Sequence, residues 1–190
     1  RQRQMCIRDR LYTLPGIPSI YYGSEFGIEG RKERSSDDSL RPALNITDYK
    51  DAVTSNPCTA LITALGKIRQ HTPALSYGSY TELQLTNRQY AFARDLDNMR
   101  VIITVNNDDN DAWMNLPAGN AAEYVGTLTG QKVAVEGGCI NVCVGANSGE
   151  IWVPTEDTSV PETFSENKDS IVEETPVTDS YTHLTLPTNS

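Results

Sequence analysis

Apolar positions recur every three or four residues at Cys58, Leu61, Ile62, Leu65 and Ile68, which gathers them on one face of a helix. Asn56-Pro57 supplies a capping side chain and a proline where a helix has no use for an N–H. Lys67 and Arg69 complement the dipole of the last turn, and Pro73 ends the pattern. The spacing predicts a helix over 57–70. Upstream, Ile20-Tyr21-Tyr22 is a short apolar run without alternation, set between the breakers Pro15, Gly16 and Pro18 and then Gly23. It predicts a strand over 17–22 buried on both faces, as in a parallel sheet. From Tyr77 the period drops to two, predicting strands over 80–86, 89–95, 100–106, 112–116, 131–136, 139–144 and 151–153. Turn residues separate them, among them Asp97-Asn98, Asp108-Asp109-Asn110 and Gly137-Gly138. Short strands at that spacing indicate an antiparallel sandwich or barrel.

Between the first strand and the helix, residues 28–54 are charged and aperiodic, longer than a structural connection needs, and long loops after parallel strands commonly carry function. Strand, loop and helix form one β/α unit. After Pro154 the chain becomes acidic, with Glu156, Asp157, Glu162, Glu166, Asp169, Glu173 and Glu174 against Lys168. Such a stretch buries too little apolar area to offset its ordering entropy and is expected to be a disordered linker.

Charge narrows the partners. The formal net charge is −9 over 190 residues, which argues against nucleic acid and anionic membranes and leaves neutral polyols. No apolar run approaches the roughly 20 residues of a membrane span. Of the four cysteines, Cys58, Cys139 and Cys143 lie in the patterned region, an odd number without the density of a disulfide framework. Cys139 and Cys143 share strand parity and read as small buried thiols. His71 is the only histidine between residues 11 and 177, so no metal site and no cofactor is evident.

The two ends answer to one piece of DNA. Arg1-Gln2-Arg3-Gln4-Met5-Cys6-Ile7-Arg8, written as CGG CAG CGT CAG ATG TGT ATA AGA, has a reverse complement that encodes Ser-Tyr-Thr-His-Leu-Thr-Leu-Pro, the residues at Ser180 to Pro187. This DNA resembles the adaptor and transposon ends used in sequencing libraries, so residues 1–10 and 178–190 are expected to be non-native and are set aside. The ends carry Arg1, Arg3, Arg8 and Arg10 against Asp9 and Asp179. The stretch between them is therefore more acidic than the whole.

An ordered series of motifs then carries a resemblance. It starts at Leu14-Pro-Gly-Ile-Pro-Ser-Ile-Tyr-Tyr-Gly-Ser-Glu25, continues through Asp37-x-x-x-Arg41-Pro42, Leu65-x-x-Ile68-Arg69-x-x-x-Pro73-Ala74-Leu75, Gly78-x-Tyr80 and Tyr90-Ala91-Phe92-x-Arg94, and closes with Val101-Ile-Ile-Thr-Val-Asn106 and Leu128-Thr129-Gly130. Over almost all of 11–154 this resembles the α-amylase family of glycoside hydrolases, with Ser24 where the family commonly has Asp. The resemblance implies an α+β, mainly β fragment: the last β/α unit of a (β/α)8 barrel over 11–74, an antiparallel β-sandwich domain over 75–154, and the acidic linker over 155–177. It further implies retaining cleavage of α-glucosidic bonds in starch or maltooligosaccharides, or transglycosylation on the same mechanism. The catalytic carboxylates would come from barrel strands preceding residue 11, so the fragment is expected to be inactive. A structural calcium would also belong to that preceding part. A noncatalytic carbohydrate-binding or scaffolding role for the β-domain is the competing expectation.

Barrel active sites lie on the loops after the strands, which puts 23–54 on the rim of a sugar cleft. Asp37 and Arg41 match a substrate-binding pair, a carboxylate accepting from sugar hydroxyls and a guanidinium donating to sugar oxygens. A salt bridge pinning the loop is the equal alternative, and Asp38 competes if the loop shifts by one. Tyr21 and Tyr22 are expected to pack in the core and Glu25 to be a buried, hydrogen-bonded organiser of the loops near the cleft. Arg94 and Asn106 suit turn and interface bonding. Trp113 and Trp152 alternate with apolar neighbours and are expected to pack, although exposed rings would stack on sugars. Linkers of the kind that follows Pro154 resemble those of secreted polysaccharide enzymes, indicating an extracellular or cell-surface protein, with a cytoplasmic one as the alternative.

Overall fold

The computed structural model describes residues 10–31, 34, 36, 38–40 and 42–155. Apart from Arg10, the proposed adaptor ends lie outside the described residues, as do almost all of the acidic linker, Asp37 and Arg41.

Helix α1 spans Ala52–Ser55, α2 Pro57–His71 and α3 Pro73–Tyr77. The start of α2 is built as the sequence indicates: Asn56 Oδ1 accepts from the Cys58 N–H at 2.9 Å, and Pro57 occupies the first turn. Its apolar stripe buries Leu65 and Ile68, and α3 adds Ala74 and Leu75.

Eight strands follow: β1 Ser79–Leu85, β2 Gln89–Leu96, β3 Met99–Asn106, β4 Ala112–Pro117, β5 Glu123–Gly126, β6 Lys132–Ala134, β7 Cys139–Val144 and β8 Ser148–Pro154. Six form one antiparallel sheet in the order β1-β2-β3-β8-β5-β6, and β4 pairs with β7 alone. Two cores result. Leu65, Ile68, Leu75, Phe92, Ile103, Ile151 and Val153 pack between the helices and one face of the large sheet. Ala91, Ile102 and Trp152 on its other face pack with Met114, Leu116, Ile140 and Val142 of the small sheet. The order of layers is therefore helices, large sheet, small sheet. The central strands are buried on both faces, and each fully buried Ile or Phe contributes about 1.5–3 kcal/mol.

Most polar groups inside these layers are matched, although among the described residues the buried Arg94 Nε has no hydrogen-bond partner. Trp152 Nε1 donates to Thr104 Oγ1 at 3.0 Å. The Glu150 carboxylate, 4% exposed, accepts from the N–H groups of Leu128, Thr129 and Ile151 at 2.9, 3.0 and 2.9 Å and from Thr129 Oγ1 at 2.6 Å. Charge-assisted bonds of this kind are about twice as strong as neutral ones. Gly126 lies against this carboxylate, where a Cβ would come within 2.7 Å of it.

Two arginines tie the N-terminal stretch to the rest. Residues 10–13 are helical, and the carbonyls around their end point to guanidinium groups. Arg69 of α2 donates to the carbonyls of Tyr12 and Gly16 at 2.6 Å each and of Leu14 at 3.3 Å. Arg94 of β2 donates to those of Thr13 at 2.8 Å and Gly78 at 2.7 Å. Cations belong at a helix C-terminus, where the carbonyls concentrate negative potential. Burial lowers the pKa of both arginines, and Arg69 lowers that of Arg94 further.

The structure departs from the sequence reading at several points. Residues 17–22 form no ladder: Ile17 is 95% exposed, and Tyr21 and Tyr22 are 58% and 50% exposed rather than packed. A parallel strand exists only through its neighbours, and the described residues supply none. Strand β5 was not apparent in the pattern. Its inward positions are Tyr124 and Gly126, and a glycine adds nothing to an apolar period. The strand expected over 131–136 shortens to Lys132–Ala134. Cys139 and Cys143 do share a face, but it is the outer one, because Ile140, Val142 and Val144 take the inner face; both thiols are half-buried and free.

Candidate functional site

The segment expected to lie on the rim of a cleft is built from turns. Gly23 (φ 81°) and Gly27 (φ 71°) are both left-handed and bracket a single 3-10 turn at Ser24–Phe26, a conformation open to glycine without a Cβ penalty. Three contacts hold this turn to the start of α2 and to the loop beyond. Thr59 Oγ1 donates to the Glu25 carbonyl at 2.7 Å, Asn56 Nδ2 donates to the Phe26 carbonyl at 2.8 Å, and the Phe26 ring stacks on Tyr49 with centroids 4.0 Å apart. Asn56 thus serves twice, capping α2 through its oxygen and fastening the rim through its nitrogen.

Tyr22 fastens the far side of the loop. Its hydroxyl donates to the Pro42 carbonyl at 3.0 Å and accepts from the Leu44 N–H at 3.2 Å. This replaces the core-packing role expected for it. Glu25 is half-buried rather than buried, and the bond it receives from Thr59 is to its backbone carbonyl rather than its carboxylate. Asp38 is exposed at the start of a 3-10 turn, Asp38–Leu40, and its N–H donates to Ser36 Oγ at 3.0 Å. Asp37 and Arg41 fall outside the described residues, which bring the loop to either side of each position.

In the sheets, Arg94 and Asn106 act in interface and turn bonding, as expected. Asn106 Nδ2 donates to the carbonyls of Asn110, Val144 and Gly145 at 2.8, 3.1 and 3.1 Å. Trp152 is 1% exposed and packs, as expected. Trp113 does not: it is 70% exposed on β4. The signal lay in Asn115, which shares its parity while Met114 and Leu116 face inward.

A groove of about 700 Å³ lies away from the rim, between residues 10–14 and the β1-β2 hairpin, with Leu14, Glu82, Leu85, Arg88, Tyr90 and Val105 in its wall. Burial, then the bond to the Tyr80 hydroxyl, drives the Tyr90 phenol well above its ordinary pKa. Among the described residues no group of His, Cys, Asp or Glu is arranged to hold a metal ion, and no helix is long and apolar enough to cross a membrane.

No protein-family model matches the chain. The cyclomaltodextrin glucanotransferase of Bacillus sp. (strain 1-1) is 30% identical over 159 residues, covering 80% of this chain and 21% of that protein. Among solved structures, an Anoxybacillus α-amylase superposes with a TM-score of 0.69 at 25% identity, over 80% of this chain and 32% of that one. The Geobacillus thermoleovorans α-amylase complexed with acarbose gives 0.69 at 21% identity, over 83% and 34%. The chain therefore spans about a fifth of the length of the curated relative it matches.

Proposed function

We propose, on the premise that this chain belongs to the α-amylase family of glycoside hydrolases and glucanotransferases, that it is the C-terminal part of a retaining enzyme acting on α-glucosidic bonds in starch or maltooligosaccharides. The observation that carries the reading is the continuity of the match. One relative at 30% identity runs over 80% of the chain. We read residues 11–74 as the last β/α unit of a (β/α)8 barrel and 75–154 as the family's C-terminal β-sandwich domain. Residues 155–177 are then a linker, in keeping with an extracellular or cell-surface enzyme.

Retention requires a nucleophilic carboxylate and an acid/base carboxylate about 5 Å apart. The reading assigns both to barrel strands preceding residue 11, with any structural calcium in that same part. What this chain contributes is a shaped rim. Gly23 and Gly27 turn the backbone, Tyr22 and Asn56 fix it, and Asp37 and Arg41 stand in the loop those anchors hold, suited to gripping sugar hydroxyls away from the scissile bond.

The longer protein is expected to release product of retained α configuration from maltooligosaccharides. First-formed β-anomer, followed by NMR, would overturn the mechanism. The 190-residue chain alone is expected to show no release of reducing ends; turnover abolished by Glu25→Gln would overturn the assignment of the chemistry to preceding strands.

A further inference from the structure

The outer face of the β4–β7 sheet belongs to neither the rim nor the groove. It is the layer farthest from the helices, since the large sheet stands between them and the small one. Its outward positions pair directly across the two strands: Trp113 with Cys143, Asn115 with Asn141, and Pro117 with Cys139. None of the six is charged, on a chain whose formal charge is −9.

Trp113 is the anomaly on this face. Tryptophan brings a large apolar area that normally lies buried, yet here the residue is 70% exposed. Most other exposed large hydrophobics, Ile17, Tyr21, Tyr22, Ile46 and Val53, lie on the stretch before α2, where the barrel reading supplies a cover. That reading places no cover over the small sheet, two layers away. Beside the indole, Asn115 and Asn141 form an opposed pair of exposed amides, about 7 Å along the strands by the two-residue repeat. Among the described residues neither amide, nor the Trp113 Nε1–H, has a protein hydrogen-bond partner.

We propose that this face is a surface binding site for α-glucan, separate from the cleft, with Trp113 as its stacking platform and Asn115 and Asn141 as its hydroxyl readers. A sugar ring has an apolar C–H face and a rim of hydroxyls that both donate and accept. An indole suits the first, and amides, which also donate and accept, suit the second. The absence of charge fits a neutral polymer and disfavours nucleic acid or an anionic membrane as occupant. The identity of the sugar rests on the α-glucan reading above; the site itself rests on the geometry of β4 and β7. Its role would be to keep the enzyme on its polymer while the cleft turns over.

The test uses the full 190-residue chain in native gels containing amylopectin, a soluble β-glucan, or no polysaccharide. Amylopectin is expected to retard the chain, and Trp113→Ala to weaken that affinity about tenfold or more, as losing a central aromatic anchor does. Trp113→Phe should restore part of it, and Asn115→Ala with Asn141→Ala should lower it further. Trp152 fluorescence, buried and unchanged, verifies that each variant is folded. Wild-type chain that runs freely in amylopectin, or a Trp113→Ala variant retarded like the wild type, overturns the site. Trp113-dependent retardation by β-glucan alone keeps the platform but overturns its α-glucan ligand, and with it the reading it rests on, whereas a failed platform leaves that reading standing.

Discussion

The stretch before α2 and the stretch after it satisfy the same backbone in different ways. From Ser79 onward, strands pair with strands, apolar faces close on one another, and even a buried carboxylate has four donors. Among the described residues from 14 to 51 there is no ladder; the backbone runs as turns and 3-10 segments, held by single side chains such as Tyr22, Asn56, Thr59 and Arg69. The first kind of structure is carried by many small terms that no single substitution removes. The second hangs on few bonds, and its exposed Ile17, Tyr21 and Tyr22 mark surfaces that want partners. Stability in this chain is thus regional, and the loop before α2 takes its shape from a scaffold that begins at α2.

The largest effect of a single substitution in the sheets is expected at Glu150. Glu150→Ala would orphan three backbone N–H groups, and since each buried unsatisfied donor costs roughly 1–3 kcal/mol, a loss of about 3–5 kcal/mol is expected from the urea midpoint. A loss below about 1 kcal/mol would mean that the sheets are less tightly accounted for than their bonds imply. Arg94→Met should come next, at about 2 kcal/mol. Because Arg94 bridges Thr13 to Gly78, its removal should also expose 10–16 to protease while a core from α2 onward survives. Unchanged cleavage there would show that Arg69 suffices.

Alkaline pH should have a smaller effect. Burial raises the pKa of Tyr124, Tyr90 and Tyr12 above the ordinary phenol value of about 10. Between the ordinary and the raised value the unfolded chain has released a proton that the folded chain keeps, so stability falls as pH rises. Melting temperature is expected to be flat in this respect below pH of about 9.5 and to decline above it; a rise there would contradict the burial of these rings. Tyr22→Phe should be the mildest, leaving the global melt nearly unchanged while speeding proteolysis within 28–48. A matching global loss would mean that the rim is integral to the fold.

The sequence made the second region legible and the first misleading, for a physical reason. Alternation and helical spacing report contacts that the chain makes with itself, so Pro57–His71 and the strands from 79 to 144 could be read to within a residue or two, apart from the short β5 and the trimmed β6, while β8 begins at Ser148, three residues before the strand expected over 151–153. Ile20-Tyr21-Tyr22 carries the apolar signature of a strand whose neighbours the described residues do not contain. The run was recognisable, but the ladder was not there to be found. Of the site, the glycines of the rim and the anchoring Asn56 lay in plain view. Glu150 did not, because it stands before the strand expected over 151–153 and the turn that satisfies its carboxylate, 127–129, is remote in the sequence. Trp113 has apolar neighbours in sequence, but the parity it shares with Asn115 turns it outward while Met114 and Leu116 face in.

Gly126 and Glu150 have a consequence beyond stability. The carboxylate occupies the space that any side chain at 126 would enter, so neither position is free to drift without the other. Inheritance should treat them as one character. Lineages that shorten or lose the acid are the ones in which position 126 can acquire a side chain, and an alanine at 126 beside an intact glutamate should be almost unknown among descendants.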